Sequence, residues 1–274
     1  MTSKTRITII EVTILLAFLT IQVASDEIPA NKEQVESWFK NNVGPLNTRE
    51  KNLDPALVTA EKAAKVVKVM QDGSGEFKTI NDAIKSVPTG NTKRVILCIG
   101  VEIIRRKSKS RRISHSSLGE PKNMPNLTFG GTTQQYGTVD SATLIVESDY
   151  FVAANNSAPK PDGKRPGAQA SALRISGDKA TFYNCKIYGF QDTVCDDQNK
   201  HFFKDCLIQG TVDYIFGSGK TVKFGEYQNK GPGADPKGRS PLAHQLTPEE
   251  AKPYLTLDLI EGSKWILPPP TPKV

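Results

Sequence analysis

This sequence is poor in the residues that most often build metal and redox centres. Its 274 residues include four cysteines (Cys98, Cys185, Cys195 and Cys206) and three histidines (His115, His201 and His244). None stands in a CxxC or HxxxH spacing, so no zinc site is expected. Four cysteines are also too few for a disulfide scaffold. A buried core must hold the fold instead, and 37% hydrophobic with 24% charged residues suits an ordinary soluble protein. The longest apolar stretch, Ile7 to Ala24, is short and broken by Glu11. A membrane anchor is therefore disfavoured. Lys4 and Arg6 precede the stretch and Val23-Ala24-Ser25 closes it, the order of a secretory signal. Residues 1–25 are thus expected to be a signal peptide, with no membrane span once it is removed.

The net charge of +7 is concentrated. Arg105-Arg106-Lys107-Ser108-Lys109-Ser110-Arg111-Arg112 carries six positive charges, which leaves +1 for the rest of the chain. No aromatic residue interleaves the run as a stacking platform would require. A nucleic-acid partner is not predicted, and the octad is expected to be a solvated, disordered loop.

Residues 26–65 are polar and lean towards helix. Val35, Trp38, Phe39 and Val43 recur at spacings of three and four, the mark of a short amphipathic helix. From residue 66 onwards short β-rich runs take over, namely Val66–Val69, Arg94–Cys98, Ala142–Val146 and Phe151–Ala153, punctuated by glycine, asparagine and aspartate. One helix interrupts them, where Phe77, Ile80, Ala83 and Ile84 form an apolar stripe after the Gly73-Ser74-Gly75 turn.

An internal repeat decides the architecture. Phe182-Tyr183-Asn184-Cys185-Lys186-Ile187-Tyr188-Gly189-Phe190-Gln191-Asp192 aligns with Phe203-Lys204-Asp205-Cys206-Leu207-Ile208-Gln209-Gly210-Thr211-Val212-Asp213 at an offset of 21 residues. Phe, Cys, Ile, Gly and Asp coincide, and Asn184 falls on Asp205. A period of this length made of short strands indicates a solenoid. The expected fold is all-β, a parallel β-helix with a short N-terminal helical segment. Equivalent residues of successive coils then lie about 4.8 Å apart, so Phe182 lies under Phe203, Cys185 under Cys206 and Asp192 under Asp213.

Two carboxylates so close cannot both ionise cheaply. The pair titrates as a unit, giving one protonated acid beside one anion. Turn capping is the structural alternative for each aspartate, but stacked like charges are unfavourable and asparagine would serve a turn as well. Gln191 beside Asp192, and Gln169 one coil earlier, carry amides able to donate to an oxyanion without titrating. Gly217-Ser218-Gly219-Lys220-Thr221 lacks the first glycine of a phosphate loop, because Tyr214 stands there, so no nucleotide site is expected.

Gly189-Phe190-Gln191-Asp192-Thr193 followed by Gly210-Thr211-Val212-Asp213-Tyr214-Ile215-Phe216-Gly217 resembles the signature of plant pectinesterases (pectin methylesterases). Asp72–Ile80, Gly137–Thr143, Gln169–Arg174 and Ile260–Trp265 add to the resemblance, which covers most of residues 66–274. It implies a right-handed parallel β-helix that hydrolyses methyl esters of galacturonate in cell-wall pectin, secreted and without a cofactor. It further implies Asp213 as nucleophile, Asp192 as general acid and then base, Gln191 and Gln169 as the oxyanion pair, and Thr138 as a substrate contact. An inhibitor partner is not legible.

The chain also departs from the family. The family's Arg-x-Trp motif, whose arginine pairs with the nucleophile, is absent, and Gly219-Lys220-Thr221 runs almost directly into Phe224-Gly225-Glu226-Tyr227. The solenoid is therefore expected to be incomplete, lacking several coils near residue 222. Val101 to Ser117 does not read as the family's strand-forming segment, and Asn155-Asn156-Ser157 joins residues usually separated by a strand. These departures carry the alternative expectation of a weak or inactive relative that at most binds pectin. Asn126-Leu127-Thr128 and Asn155-Asn156-Ser157 match glycosylation acceptors.

Overall fold

The computed structural model describes residues 25–100, 103–105, 108–110, 115–159, 169–219, 225–226, 235, 237 and 244–270. The N-terminal apolar stretch, like Lys220 and Thr221, lies outside them.

Near the N-terminus come α1 (Lys32–Asn42), α2 (Leu46–Arg49) and α3 (Pro55–Lys62), followed by α4 (Ile80–Ser86). In chain order the strands of the solenoid are β1 (Lys65–Val69), β2 (Val95–Ile99), β3 (Ile103–Arg105), β4 (Ser108–Ser110), β5 (His115–Leu118), β6 (Asn126–Thr128), β7 (Leu144–Val146), β8 (Val152–Ala154), β9 (Ser157–Pro159), β10 (Leu173–Ile175), β11 (Ala180–Tyr183), β12 (Lys186–Tyr188), β13 (Val194–Asp196), β14 (His201–Lys204), β15 (Leu207–Gln209) and β16 (Ile215–Phe216). They form three parallel sheets in the orders β1-β2-β5-β8-β11-β14, β3-β6-β9-β12-β15 and β4-β7-β10-β13-β16. Each sheet takes one strand from each coil, which is a parallel β-helix.

Strand composition follows from what covers each face. Val67 and Val69 of β1 are buried while Lys65, Val66 and Lys68 are exposed, the period of two of a half-buried strand. In β2 the run Val-Ile-Leu-Cys-Ile is apolar throughout because both faces are covered. Val95, Leu97 and Ile99 meet Ile80, Ala83 and Ile84 of α4 in one buried cluster. Ile96 joins a second cluster with Trp38, Phe39, Leu57 and, from the C-terminal segment, Leu257, Trp265 and Ile266. A third cluster fills the later coils, around Leu144, Phe151, Leu173, Phe182, Cys185, Ile187 and Val194.

The helix expected around Trp38 and Phe39 is α1, capped by Asn31, whose side chain accepts from the Glu33 N–H. The helix expected after Gly75 is α4, capped by Thr79, whose hydroxyl accepts from the Asp82 N–H.

Of the basic octad, Arg105 and Ser108–Ser110 are described and are strand, not loop, while residues 106–107 and 111–112 lie outside the described residues. Arg105 closes β3 and Ser108–Ser110 is β4; β3 pairs with β6 and β4 with β7. Val101 to Ser117 is thus strand-forming where described. Strand pairing satisfies backbone groups whatever the side chains are, so a neighbouring coil can recruit a charged segment that propensity alone assigns to a loop. Likewise Asn155-Asn156-Ser157 leads directly into β9, which pairs with β12.

The corner between the first and second sheets carries an amide ladder. Asn155, Asn184 and Asp205 all adopt left-handed backbone (φ 58°, 48° and 56°), a conformation that asparagine and aspartate tolerate best among non-glycine residues. Asn184 Nδ2 donates to Asn155 Oδ1 at 2.8 Å, and Asn155 Nδ2 to the Gly119 carbonyl at 3.0 Å. Asn155 is therefore engaged on both amide atoms, whereas Asn126, the other acceptor match, is exposed.

Candidate active site

The 21-residue repeat is a pair of consecutive coils, in register. Phe182 pairs with Phe203, Ile187 with Ile208 and Val194 with Ile215. The two aspartate turns, residues 189–193 and 210–214, connect the second sheet to the third. A bridge pairs Gln191 with Val212, and the Asp192 N–H donates to the Val212 carbonyl at 3.2 Å. Asp192 and Asp213 therefore share one column. Both have left-handed backbone, with φ 63° and 47°.

Glycine makes the turns tight. A β-carbon on Gly189 would stand 2.4 Å from Thr193 Oγ1, and one on Gly210 would stand 2.3 Å from Tyr214 Cβ and 2.5 Å from Thr193 Oγ1. Thr193 is fully buried between them. The Thr211 N–H donates to the Phe190 carbonyl at 2.7 Å, and its hydroxyl donates to the same oxygen at 2.8 Å.

Asp192 is half-buried and Asp213 exposed. Burial first, and the Asp213 charge second, push the Asp192 carboxyl above the usual aspartate range. Among the described residues neither carboxylate takes part in an ion pair. Arg174, on β10, is held by Asp197 at 2.8 Å and by Glu147 at 3.8 Å. The coil of Asp213 is the last described one, and its inward side chain Ile215 is 49% exposed, against 1% for its partner Val194 one coil below.

The other predicted site residues share the corner. The Ala170 N–H, beside Gln169, donates to the Gln191 carbonyl at 3.3 Å. Among the described residues Gln169 Oε1 is buried with no hydrogen-bond partner. Thr138 is half-buried two coils below, in the connection from β6 to β7, and its carbonyl accepts from Ser141 Oγ at 2.8 Å.

Ser171 was not singled out by the sequence argument. The register of β10 on β13 places it directly below Asp192, and its hydroxyl is buried without a partner among the described residues. Carrying the same 21-residue offset back one coil from Asp192 would have found it. A cavity of about 680 Å³ lies at the other corner, lined by Phe39, Tyr183, Asn184, Lys204 and Asp205 among others. It contains neither aspartate of the pair; the paired aspartates look onto an open surface.

A family model described as Pectinesterase matches residues 66–223. Pectinesterase 2 of Olea europaea is 44% identical over 346 aligned residues, covering 93% of this chain and 95% of the relative. A pectinesterase of Parthenium hysterophorus matches with the same identity and coverage. Both alignments are longer than the 274-residue chain, so these relatives carry segments that it lacks. A solved pectin methylesterase from carrot superposes with a TM-score of 0.52 at 31% identity, covering 56% of this chain and 49% of the carrot protein. The chain thus spans about half the length of that solved structure.

Proposed function

The chain belongs to the pectinesterase family, and from that premise we propose that it hydrolyses the methyl esters of galacturonate in pectin, releasing methanol. The observation that carries this reading is the Asp192–Asp213 column at a single corner, with one carboxyl half-buried and raised and the other exposed. In the proposed mechanism ionised Asp213 attacks the C6 carboxymethyl carbon. The tetrahedral intermediate collapses to an acyl-enzyme as Asp192 gives its proton to departing methanol. Asp192, now ionised, takes a proton from water, and the resulting hydroxide cleaves the acyl bond to regenerate Asp213.

Gln191 and Gln169 are assigned to the oxyanion, a role that needs donors not already engaged by the fold. Gln169 and Gln191 are neighbours across successive coils, since the Ala170 N–H beside Gln169 donates to the Gln191 carbonyl at 3.3 Å. Thr138 is assigned to substrate contact from its place at the same corner. An open surface suits a polymer, which can lie across the coils without threading into a cavity.

The proposal extends to cellular placement. The N-terminal charged, apolar and small-residue order supports a secreted protein acting in the cell wall, and residues 1–25 are its leader. The residues 66–274 are the catalytic domain. The relatives' longer alignments support missing segments, and we assign these to coils near residue 222, where Gly219-Lys220-Thr221 runs almost directly into Phe224-Gly225-Glu226-Tyr227. The intact carboxylate pair and family membership favour hydrolysis over a non-catalytic pectin binder.

The test is methanol release from methyl-esterified pectin by the purified chain, with Asp213→Asn as control. Release by the parent and none by the variant is expected. Equal release from both would overturn the assignment of the nucleophile, and no release from either would overturn the activity.

A further inference from the structure

Cys185 and Cys206 stand seven residues before Asp192 and Asp213, one in each of the two aspartate-bearing coils. They lie between two in-register pairs, Tyr183 with Lys204 and Lys186 with Leu207. Their Cα atoms are therefore about 4.8 Å apart, the spacing of neighbouring strands. That lies inside the roughly 4.4–6.8 Å range that disulfides span. Both side chains point into the solenoid interior, Cys185 as part of its core cluster and Cys206 packed against it. Each sulfur also leans towards the coil below. Cys185 Sγ approaches the Ala153 carbonyl at 3.7 Å, and Cys206 Sγ approaches the Phe182 carbonyl, in the coil of Cys185, at 3.4 Å. All four cysteines are free thiols in the structure.

We propose that Cys185 and Cys206 are an oxidisable pair, and that a glutathione-type disulfide converts them into a staple between the two aspartate coils. Cys206 is only partly buried, because no described coil covers it, whereas Cys185 is 3% exposed. Their contact also splits them chemically. The hydrogen bond from Cys185 lowers the Cys206 thiol below the usual range, and the same contact, with burial, raises Cys185. The Cys206 thiolate therefore attacks glutathione disulfide, forming a mixed disulfide and releasing one glutathione thiolate. Cys185 then gives up its proton and attacks the Cys206 sulfur, releasing the second glutathione. Two protein thiols are oxidised and one glutathione disulfide is reduced to two thiols. The bond closes a loop across one coil and ties together the register on which the aspartate column depends.

The test uses the full chain, incubated natively with glutathione disulfide and then quenched in denaturant containing N-ethylmaleimide. Trypsin places Cys98, Cys185, Cys195 and Cys206 in four separate peptides. The expected product joins Ala180–Lys186 to Asp205–Lys220, two hydrogens lighter than the separate peptides, with Cys98 and Cys195 alkylated. Oxidation should also raise the thermal midpoint by about 5–10 °C, a shift that dithiothreitol reverses and Cys206→Ser abolishes. Alkylation of both Cys185 and Cys206, a mixed disulfide that stops at Cys206, or a link to Cys195 would overturn the proposal. None of these readouts depends on pectin hydrolysis.

Discussion

The ring of Phe182 lies flat against that of Phe203, centroids 4.7 Å apart and planes 11° from parallel. Each phenylalanine precedes its aspartate by ten residues, so the stack inside the solenoid and the carboxylate column outside it express one register. A one-residue slip would turn every side chain of the strand to the other face and would dissolve both.

The two rings should differ in what they contribute to stability. Phe182 is 1% exposed and also meets Phe151 at 5.9 Å, while Phe203 is half-buried at the open end. Phe182→Ala should cost about 3–5 kcal/mol and Phe203→Ala clearly less, as read from urea denaturation midpoints. Equal losses would contradict the open end described for the last coil.

Asp192 should oppose stability once ionised. Its carboxyl is raised in the folded chain, by burial before the Asp213 charge, so the folded state holds that proton more tightly than the unfolded state. Its contribution is fully present below the ordinary aspartate range and is lost as pH rises through the raised value. Asp192→Asn should therefore raise the thermal midpoint by a few degrees at neutral pH, while methanol release falls roughly 10²–10⁴-fold. The stability gain should vanish in acid. In Asp213→Asn, carboxyl NMR should find the Asp192 titration lowered yet still above the ordinary range, because burial is the larger cause. A fully normal titration there would contradict that order.

Gly210→Ala should disable the site. The added methyl meets Tyr214 Cβ at 2.3 Å and buried Thr193 Oγ1 at 2.5 Å, so the turn carrying Asp213 must move. Because a misplacement of about 1 Å can cost on the order of 10²-fold in rate, methanol release should fall by that order with circular dichroism unchanged. Parent-like activity would show that the turn has slack which these contacts deny.

Arg94 tests a different part of the fold. Its side chain is 2% exposed, pairs with Glu61 of α3 and donates to the Tyr150 carbonyl. Arg94→Met leaves the Glu61 carboxylate without this partner and should cost about 3 kcal/mol. Adding Glu61→Gln should restore part of that loss. Denaturant midpoints of the single and double variants decide it.

The solenoid was legible because its repeat is direct. Phe, Cys, Ile, Gly and Asp recur at one offset, and parallel stacking requires that offset to persist. Helices α1 and α4 were legible for the ordinary reason, an apolar stripe behind a capping residue. The strands at Ile103–Arg105 and Ser108–Ser110 were not, since their charge argues for a loop and only neighbouring coils argue otherwise. Ser171 escaped because its own coil matches the repeat too weakly for comparison of side chains to extend it. The register found it.

The period, the residue types at each repeat position and hence the family are written in the amino-acid order, because stacking identical side chains shows as recurrence. Which groups are buried and which open was settled by the folded chain. It left Asp213 exposed on the last described coil, half-buried Asp192 beneath it, and recruited charged residues into strands. Burial and backbone pairing come from neighbours distant along the chain, and a linear pattern does not carry them.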